Sequence, residues 1–405
     1  MTTPTPPTPI PGPARPVPES APPVSGSALG HRLRAVSASD RTVLLLYAVT
    51  RIGVWLTAYC ADWLFVGSGE ATEPPPLISR WEQWDWLHFR HIAQDGYFPD
   101  TGVPDNREAF FPGFPLLLRA VRLVVPSWTV SGLLISFVAG AVAVLALARI
   151  ARAESADPRV GPRAVFFLLL SPCAVFLAAG YSEALFLALA LTAWSAARAD
   201  NVPRAAVLAC LATTVRINGL FLAAALVLHF VLAGELRRRA RQAPWLALPV
   251  LPVLIYFAYL HERTGDWMAW QHAQERGWYR QFHAPWVAWQ HTWEGAFSQS
   301  RLTTTYALLF QAELVAMLVG LALVAVLVAR RRWPEAVYVG LSLWALGTSY
   351  WYMSIPRASL LWWPLWILLA RWSLRRPHVW TAYVCVAAPL ATVLALAFAS
   401  GRWAG

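Results

Sequence analysis

The stretch WEQWDWLHFRHIAQDGYF (81–98) places Asp85 ahead of His88, His91 and Asp95. In a helix, Trp81, Asp85, His88 and Ile92 fall on one face, so a carboxylate and an imidazole stand side by side. A partly desolvated carboxylate gains basicity, which suits a general base that takes the proton of a hydroxyl nucleophile. Asp85 is the candidate base, His88 its companion, and Glu82 the rival acid. A plainer reading competes: a solvated loop whose tryptophans anchor it at a membrane surface. The spacing D-x-x-H-x-x-H also resembles a metal site, but Asp85 and His91 point apart and would need ligands from elsewhere. No cofactor is expected to be required, and a divalent metal is the lesser alternative.

Further along the chain, Glu183 lies in AAGYSEALF, between two apolar runs. Ionisable residues at membrane boundaries are functional candidates, although Ser182 as N-cap with Glu183 in the first helical turn explains them equally well. Arg216 and Asn218 (TTVRINGLF) sit at the tip of a short apolar hairpin, and Arg357 (MSIPRASLL) at the mouth of another short helix. Two arginines facing the side of Asp85 favour phosphate binding, against snorkelling to lipid headgroups. Trp286, Trp289 and Trp293 follow helical spacing, which an interfacial aromatic belt explains more simply than sugar stacking.

The elements that must position these residues are membrane helices. Of 405 residues, 57% are hydrophobic and 14% charged, and mean hydropathy is +0.45. A soluble domain carries far more charge. Apolar runs over 42–64, 129–148, 164–180, 183–198, 205–215, 218–233, 244–260, 304–329, 334–353, 358–370 and 379–399 predict an all-α polytopic bundle of about eleven spans. Runs 205–215 and 358–370 are too short to cross undistorted, so they should line a cavity. Residues 1–38 are rich in Pro, Ser and Thr, and predict a disordered cytoplasmic tail ahead of a multi-span domain over 39–405.

The net charge of +11 comes from arginine, since the chain has no lysine. These arginines sit between apolar runs, so positive-inside topology explains them better than nucleic acid. With the N-terminus cytoplasmic, the clusters RRRAR (237–241) and ARRRW (329–333) both fall inside. The same alternation puts 65–128 and 261–303 on the extracytoplasmic side of a plasma membrane, as the first loop and a second large one. A single helix over 205–233 would invert everything after it, so a hairpin is preferred there. FFPGFPLLLRAVRLVVP (110–126) predicts an interfacial or re-entrant helix. Cys60, Cys173, Cys210 and Cys385 are scattered in or beside apolar runs and read as small core residues.

Taken together, RWEQWDWLHFRHIAQDGY, AFFPGFPL, YSEALFLALALTAW and TTVRINGLFL resemble the GPI mannosyltransferase that adds the second mannose, the PIG-V-like family, and its bacterial relatives. The resemblance spans about 80–233, with only IPRASLLWWPLW similar beyond it. It implies the GT-C membrane glycosyltransferase fold and a sugar donor carried on polyprenyl phosphate. The acidic residue of the first outer loop, the base in such enzymes, matches Asp85, with Glu82 an additional acid nearby. The Tyr-Ser-Glu block matches Tyr181 and Glu183, and Arg-x-Asn-Gly matches Arg216, Asn218 and Gly219. Trp84, Tyr97, Phe111, Pro112, Tyr181 and Glu183 are then substrate-binding positions, and Arg216, Asn218 and Arg357 hold the donor phosphate.

The expected reaction is inverting transfer of mannose from polyprenyl-phosphate-mannose to a lipid-linked or glycan acceptor, with membrane lipids around it and no nucleic acid. Protein O-mannosylation, or transfer of another sugar, is the alternative within the class. A lipid or sugar transporter is the alternative outside it, but no internal repeat supports one. A non-catalytic assembly subunit would tolerate Asp85→Asn.

Overall fold

The structure, a computed structural model, describes Met1 and residues 38–65, 77–99, 105–234, 240–298 and 304–404. The proline-rich tail expected over 1–38, apart from its end residues, and Arg237, Arg238 and Arg239 lie outside the described residues. All regular secondary structure among the described residues is helical.

In chain order the helices are α1 (Ala38–Phe65), α2 (Asp85–Asp95), α3 (Gly113–Arg122), α4 (Trp128–Ala153), α5 (Val160–Leu169), α6 (Ser182–Arg198), α7 (Val202–Val215) and α8 (Asn218–Leu232). They continue as α9 (Leu251–Thr264), α10 (Ala269–Trp278), α11 (Pro285–Phe297), α12 (Thr304–Ala329), α13 (Trp333–Gly347), α14 (Ile355–Ala358), α15 (Trp363–Arg375) and α16 (Pro377–Ala399). Among the described residues, five stretches are long and apolar enough to cross a membrane: Ser39–Phe65, Trp128–Ala153, Ala240–Thr264, Tyr306–Ala329 and Pro377–Ala399. The other six expected spans correspond to shorter helices, among them α6 to α8, α13 and α15.

One expected span is broken. Over 164–180 the helix ends at Leu169, and Ala174–Leu177 form a separate 3-10 turn. Pro172 has no N–H to continue the ladder and clashes with the preceding turn. The hairpin over 205–233 is present: α7 ends at Val215, Gly219 starts the return, and the two helices pack together. A Cβ on Gly219 would lie 2.5 Å from the Thr213 backbone nitrogen, so this turn needs glycine. The interfacial or re-entrant helix expected over 110–126 has its helical part in α3, after which Leu123 and Val124 lie exposed.

Small residues set the helix spacing. Ala205, Ala206, Ala209 and Ala212 of α7 are buried, and α4, α6 and α7 pack closely, as helices do where lipid supplies no hydrophobic drive between them. Ion pairs then gather at two ends. At one end Asp40 pairs with Arg149 (2.8 Å) and Arg152 (2.6 Å), and Glu154 pairs with Arg198 and Arg332 (both 2.8 Å). At the other end lie the starts of α2, α6, α8 and α14, with Asp85, Glu183, Asn218 and Arg357.

Candidate functional site

α2 begins at Asp85, because Trp84 just before it holds a left-handed φ of 51° and breaks the helical path. Trp81 therefore lies on a separate 3-10 turn, not on the face of Asp85 and His88. A non-glycine residue at positive φ stores roughly 1–3 kcal/mol, and this one directly precedes the candidate base. Trp86 fixes α2 from behind: its ring is fully buried against Gly132 and Gly180. Tyr181, also fully buried, donates from its hydroxyl to the Gln83 carbonyl at 2.6 Å.

Four residues predicted from the sequence converge in one buried charge network. The Arg357 guanidinium donates to Asp85 Oδ2 at 2.7 Å and to Glu183 Oε1 at 2.6 Å. Arg216 reaches the same Glu183 oxygen at 2.8 Å and the Ser182 hydroxyl at 2.7 Å. The Arg357 guanidinium also lies over the Phe176 and Tyr181 rings, at 4.5 and 4.9 Å. Arg357 is thus a buried bridge and does not snorkel. Tyr181 occupies the N-cap position of α6, and Ser182 and Glu183 serve the network instead of capping it. Glu183 is fully buried, and its Oε2 has no hydrogen-bond partner among the described residues.

The electrostatics differ from the sequence expectation of a carboxylate made more basic by desolvation. Burial raises the pKa of Asp85, but the charge and hydrogen bond of Arg357, with smaller pulls from His88 and Arg216, outweigh it. The carboxyl ends below the usual aspartate value of 3.8. Burial likewise pushes His88 below its usual 6.5, despite the attraction of Asp85, so the imidazole is neutral at pH 7. Its ring stacks on Phe110 at 4.8 Å.

Asp85 lies between two cavities. The first, about 140 Å³, is lined by Arg216, Asn218, Arg280, Arg357, Phe111 and Gln274 among others. The second, about 1050 Å³, is lined by Trp84, His88, His91, Trp351, Glu313 and Tyr306 among others. Asp85, Trp278 and Trp403 border both. Glu82 borders neither; it is held by Arg90 at 3.0 Å and by the Thr129 hydroxyl.

The residues of the aromatic-proline motif divide: Phe111 lines the first cavity, whereas Tyr97 supports the loop. Tyr97 does not line either cavity. Its hydroxyl donates to the Phe110 carbonyl at 2.9 Å, as does that of Tyr256 at 3.0 Å. Gln274 and Trp270 hold the Ala109 carbonyl at 2.9 and 3.2 Å. This clamp turns Phe110 and Phe111 to the first cavity, and Pro112 starts α3. Arg107, buried, closes the loop by donating to the Gly96 carbonyl at 2.8 Å and to Asp105.

Arg107, Arg280, Glu313 and Trp403 escaped the sequence reading. Glu313 had a usable signal, a lone carboxylate in the apolar run TTYALLFQAELVAMLVG. It accepts from the backbone N–H groups of Ser354 (2.6 Å) and Ile355 (2.8 Å), and so fixes the short helix carrying Arg357. Arg280, in a loop, had none. Among the described residues, no group of three or more His, Cys, Asp or Glu is arranged as a metal site.

Residues 76–243 match the family model for mannosyltransferase (PIG-V). The chain is 36% identical over 154 residues to GPI alpha-1,6-mannosyltransferase 2 of Cricetulus griseus, covering 36% of this chain and 30% of that protein. To the protein of the same name from Mus musculus it is 32% identical over 207 residues, covering 46% of this chain and 41% of the relative. The Homo sapiens protein of that name is 35% identical over 154 residues, covering 36% and 30%. The chain thus spans well under half the length of these curated relatives.

Proposed function

We propose that this chain, whose residues 76–243 match the family model for mannosyltransferase (PIG-V), is a membrane mannosyltransferase that uses a polyprenyl-phosphate-mannose donor, with Asp85 as general base. The single observation that carries this reading is the position of Asp85, between an arginine-lined cavity and a larger aromatic one. The donor phosphate belongs with the arginines, beside Asn218 at the N-terminus of α8, where helix N–H groups favour an anion. The acceptor hydroxyl belongs in the aromatic cavity. Asp85 is the carboxylate that reaches both.

The acceptor oxygen attacks the anomeric carbon as its bond to the phosphate oxygen breaks, and configuration inverts. Asp85 takes the hydroxyl proton. Polyprenyl phosphate leaves with the bonding pair. The depressed pKa of Asp85 makes it a weak base, so its proton arrives late, once oxocarbenium character has made the attacking hydroxyl acidic. Neutralising Asp85 then frees the Arg357 charge as the leaving phosphate gains its own. Stabilisation of this kind acts in the transition state more than in the ground state. Glu183 keeps Arg216 and Arg357 aligned throughout.

The lipid-linked or glycan nature of the acceptor, the extracytoplasmic placement of the site and the cytoplasmic N-terminus belong to the same proposal. They draw support from the arginines gathered at the end of the bundle opposite Asp85. Transfer of radiolabelled mannose from polyprenyl-phosphate-mannose into the lipid and protein fractions of membranes tests it. Asp85→Asn should lose at least 100-fold, the scale of a general base, while Glu82→Gln stays within a few-fold of wild type. Equal transfer by wild type and Asp85→Asn removes Asp85 as base. Label in the protein fraction favours protein O-mannosylation.

A further inference from the structure

Three guanidinium groups line the first cavity, and two are already engaged. Arg357 is held by Asp85 and Glu183, and Arg216 by Glu183 and Ser182. The third, Arg280, comes from the short link between α10 and α11. Its side chain makes no hydrogen bond and no ion pair among the described residues, and its Nε is buried. The neighbouring Gln271 donates to the Arg280 backbone carbonyl at 2.9 Å and to Glu275 at 3.3 Å, not to the guanidinium. Glu313, whose charge acts on Arg280 more weakly than that of Asp85, accepts from the Ser354 and Ile355 amides and lines the second cavity.

Charge accounting then points to a ligand. Against the three arginines of this cavity stand Asp85 and Glu183, which leaves one positive charge uncompensated. Arg280 is half-buried, and a cation taken partly out of water is disfavoured unless an anion pairs with it. Burial and the nearby Arg216 push the pKa of Arg280 down to about 10, so it remains charged at neutral pH. A sugar phosphodiester carries one negative charge, and this matches the excess. When the glycosyl bond breaks, the phosphate becomes a monoester whose charge approaches two.

We propose that Arg280 is the residue that captures the phosphate of the lipid-linked donor, with Arg216 and Arg357 held in reserve by their carboxylates until the bond breaks. This rests on the lipid-phosphate donor reading above. It adds a residue outside the matched segment 76–243 and divides the work among the three arginines. Arg280 supplies ground-state affinity, and Arg357 supplies transition-state charge.

The test is equilibrium binding of radiolabelled polyprenyl methyl phosphate, a singly charged phosphodiester like the donor, to the purified full-length protein in neutral-lipid nanodiscs, with polyprenol of equal length as the competitor. Wild type should prefer the phosphate by 10-fold or more. Arg280→Gln should erase that preference, and Arg280→Lys should retain part of it. Asp85→Asn, which leaves Arg357 without one partner, should bind the phosphate at least as tightly as wild type, and it also controls for folding. Undiminished preference in Arg280→Gln overturns the role of Arg280 and leaves the donor reading standing. No preference in wild type overturns both. Should Arg280→Gln not fold, loss of preference in well-folded Arg280→Lys supports the proposal, and a preference equal to wild type overturns it.

Discussion

At the residue scale, the chemistry turns on the Arg357 bridge. A buried guanidinium shared by Asp85 and Glu183 keeps Asp85 ionised, and its removal reverses the balance of forces on that carboxyl. The sign follows directly. Burial raises the Asp85 pKa and Arg357 lowers it below 3.8. In wild type the acid limb of kcat/KM, which reports the free enzyme, should therefore lie below 3.8. In Arg357→Met burial acts with far less opposition, and the limb should move above that value while maximal turnover also falls. A pH profile of mannose transfer for the two proteins checks both shifts. An unmoved limb in the variant would show that Asp85 is not the group titrating.

At the element scale, the site depends on how closely backbones approach. Trp86 lies in a slot made by Gly132 of α4 and Gly180 before α6, and it anchors the first turn of α2. A Cβ at Gly180 would come within 2.7 Å of the Trp86 ring, and one at Gly132 closer still. Overpacking of this kind typically costs about 1–3 kcal/mol. Gly180→Ala should therefore lower thermal stability in detergent. It should also reduce transfer more than stability accounts for, because the displaced ring carries Asp85 with it. The same scale explains the broken span over 164–180. Its interruption at Ser171–Pro172 lets Phe176 and Tyr181 form the aromatic floor beneath Arg357.

At the scale of the whole molecule, the arginine-rich end and the end that holds Asp85 can be separated experimentally. Arg332 joins Glu154 to Glu335 far from Asp85, with its side chain 18% exposed. Arg332→Ala should cost about 1–3 kcal/mol, less than the 3–5 of a fully buried broken pair because water reaches it. KM for the donor should not change; a raised KM would mean the two ends are coupled. Orientation is tested with a membrane-impermeant thiol reagent in a cysteine-free background. Trp286→Cys, 74% exposed at the start of α11, should label from outside, and Arg375→Cys only after permeabilisation. The opposite pattern would invert the topology.

What the sequence determined by itself was the helical membrane class, the hairpin at 205–233, and the residue types of the site. These follow from composition, from apolar run length and from local motifs, all of which act over a few turns of chain. Asp85, Glu183, Arg216 and Arg357 were legible singly, because charges beside apolar runs are conspicuous. Their union in one network was not, since they lie up to 272 positions apart (85 to 357) and meet only through packing. Tertiary structure also placed Glu82 outside both cavities, held by Arg90 and Thr129, and engaged the Tyr97 hydroxyl with a carbonyl. It reversed the expected shift of Asp85 because a counter-charge at 2.7 Å outweighs desolvation. Arg280 became visible only by its lack of a partner, a property of the folded neighbourhood that a single sequence does not contain.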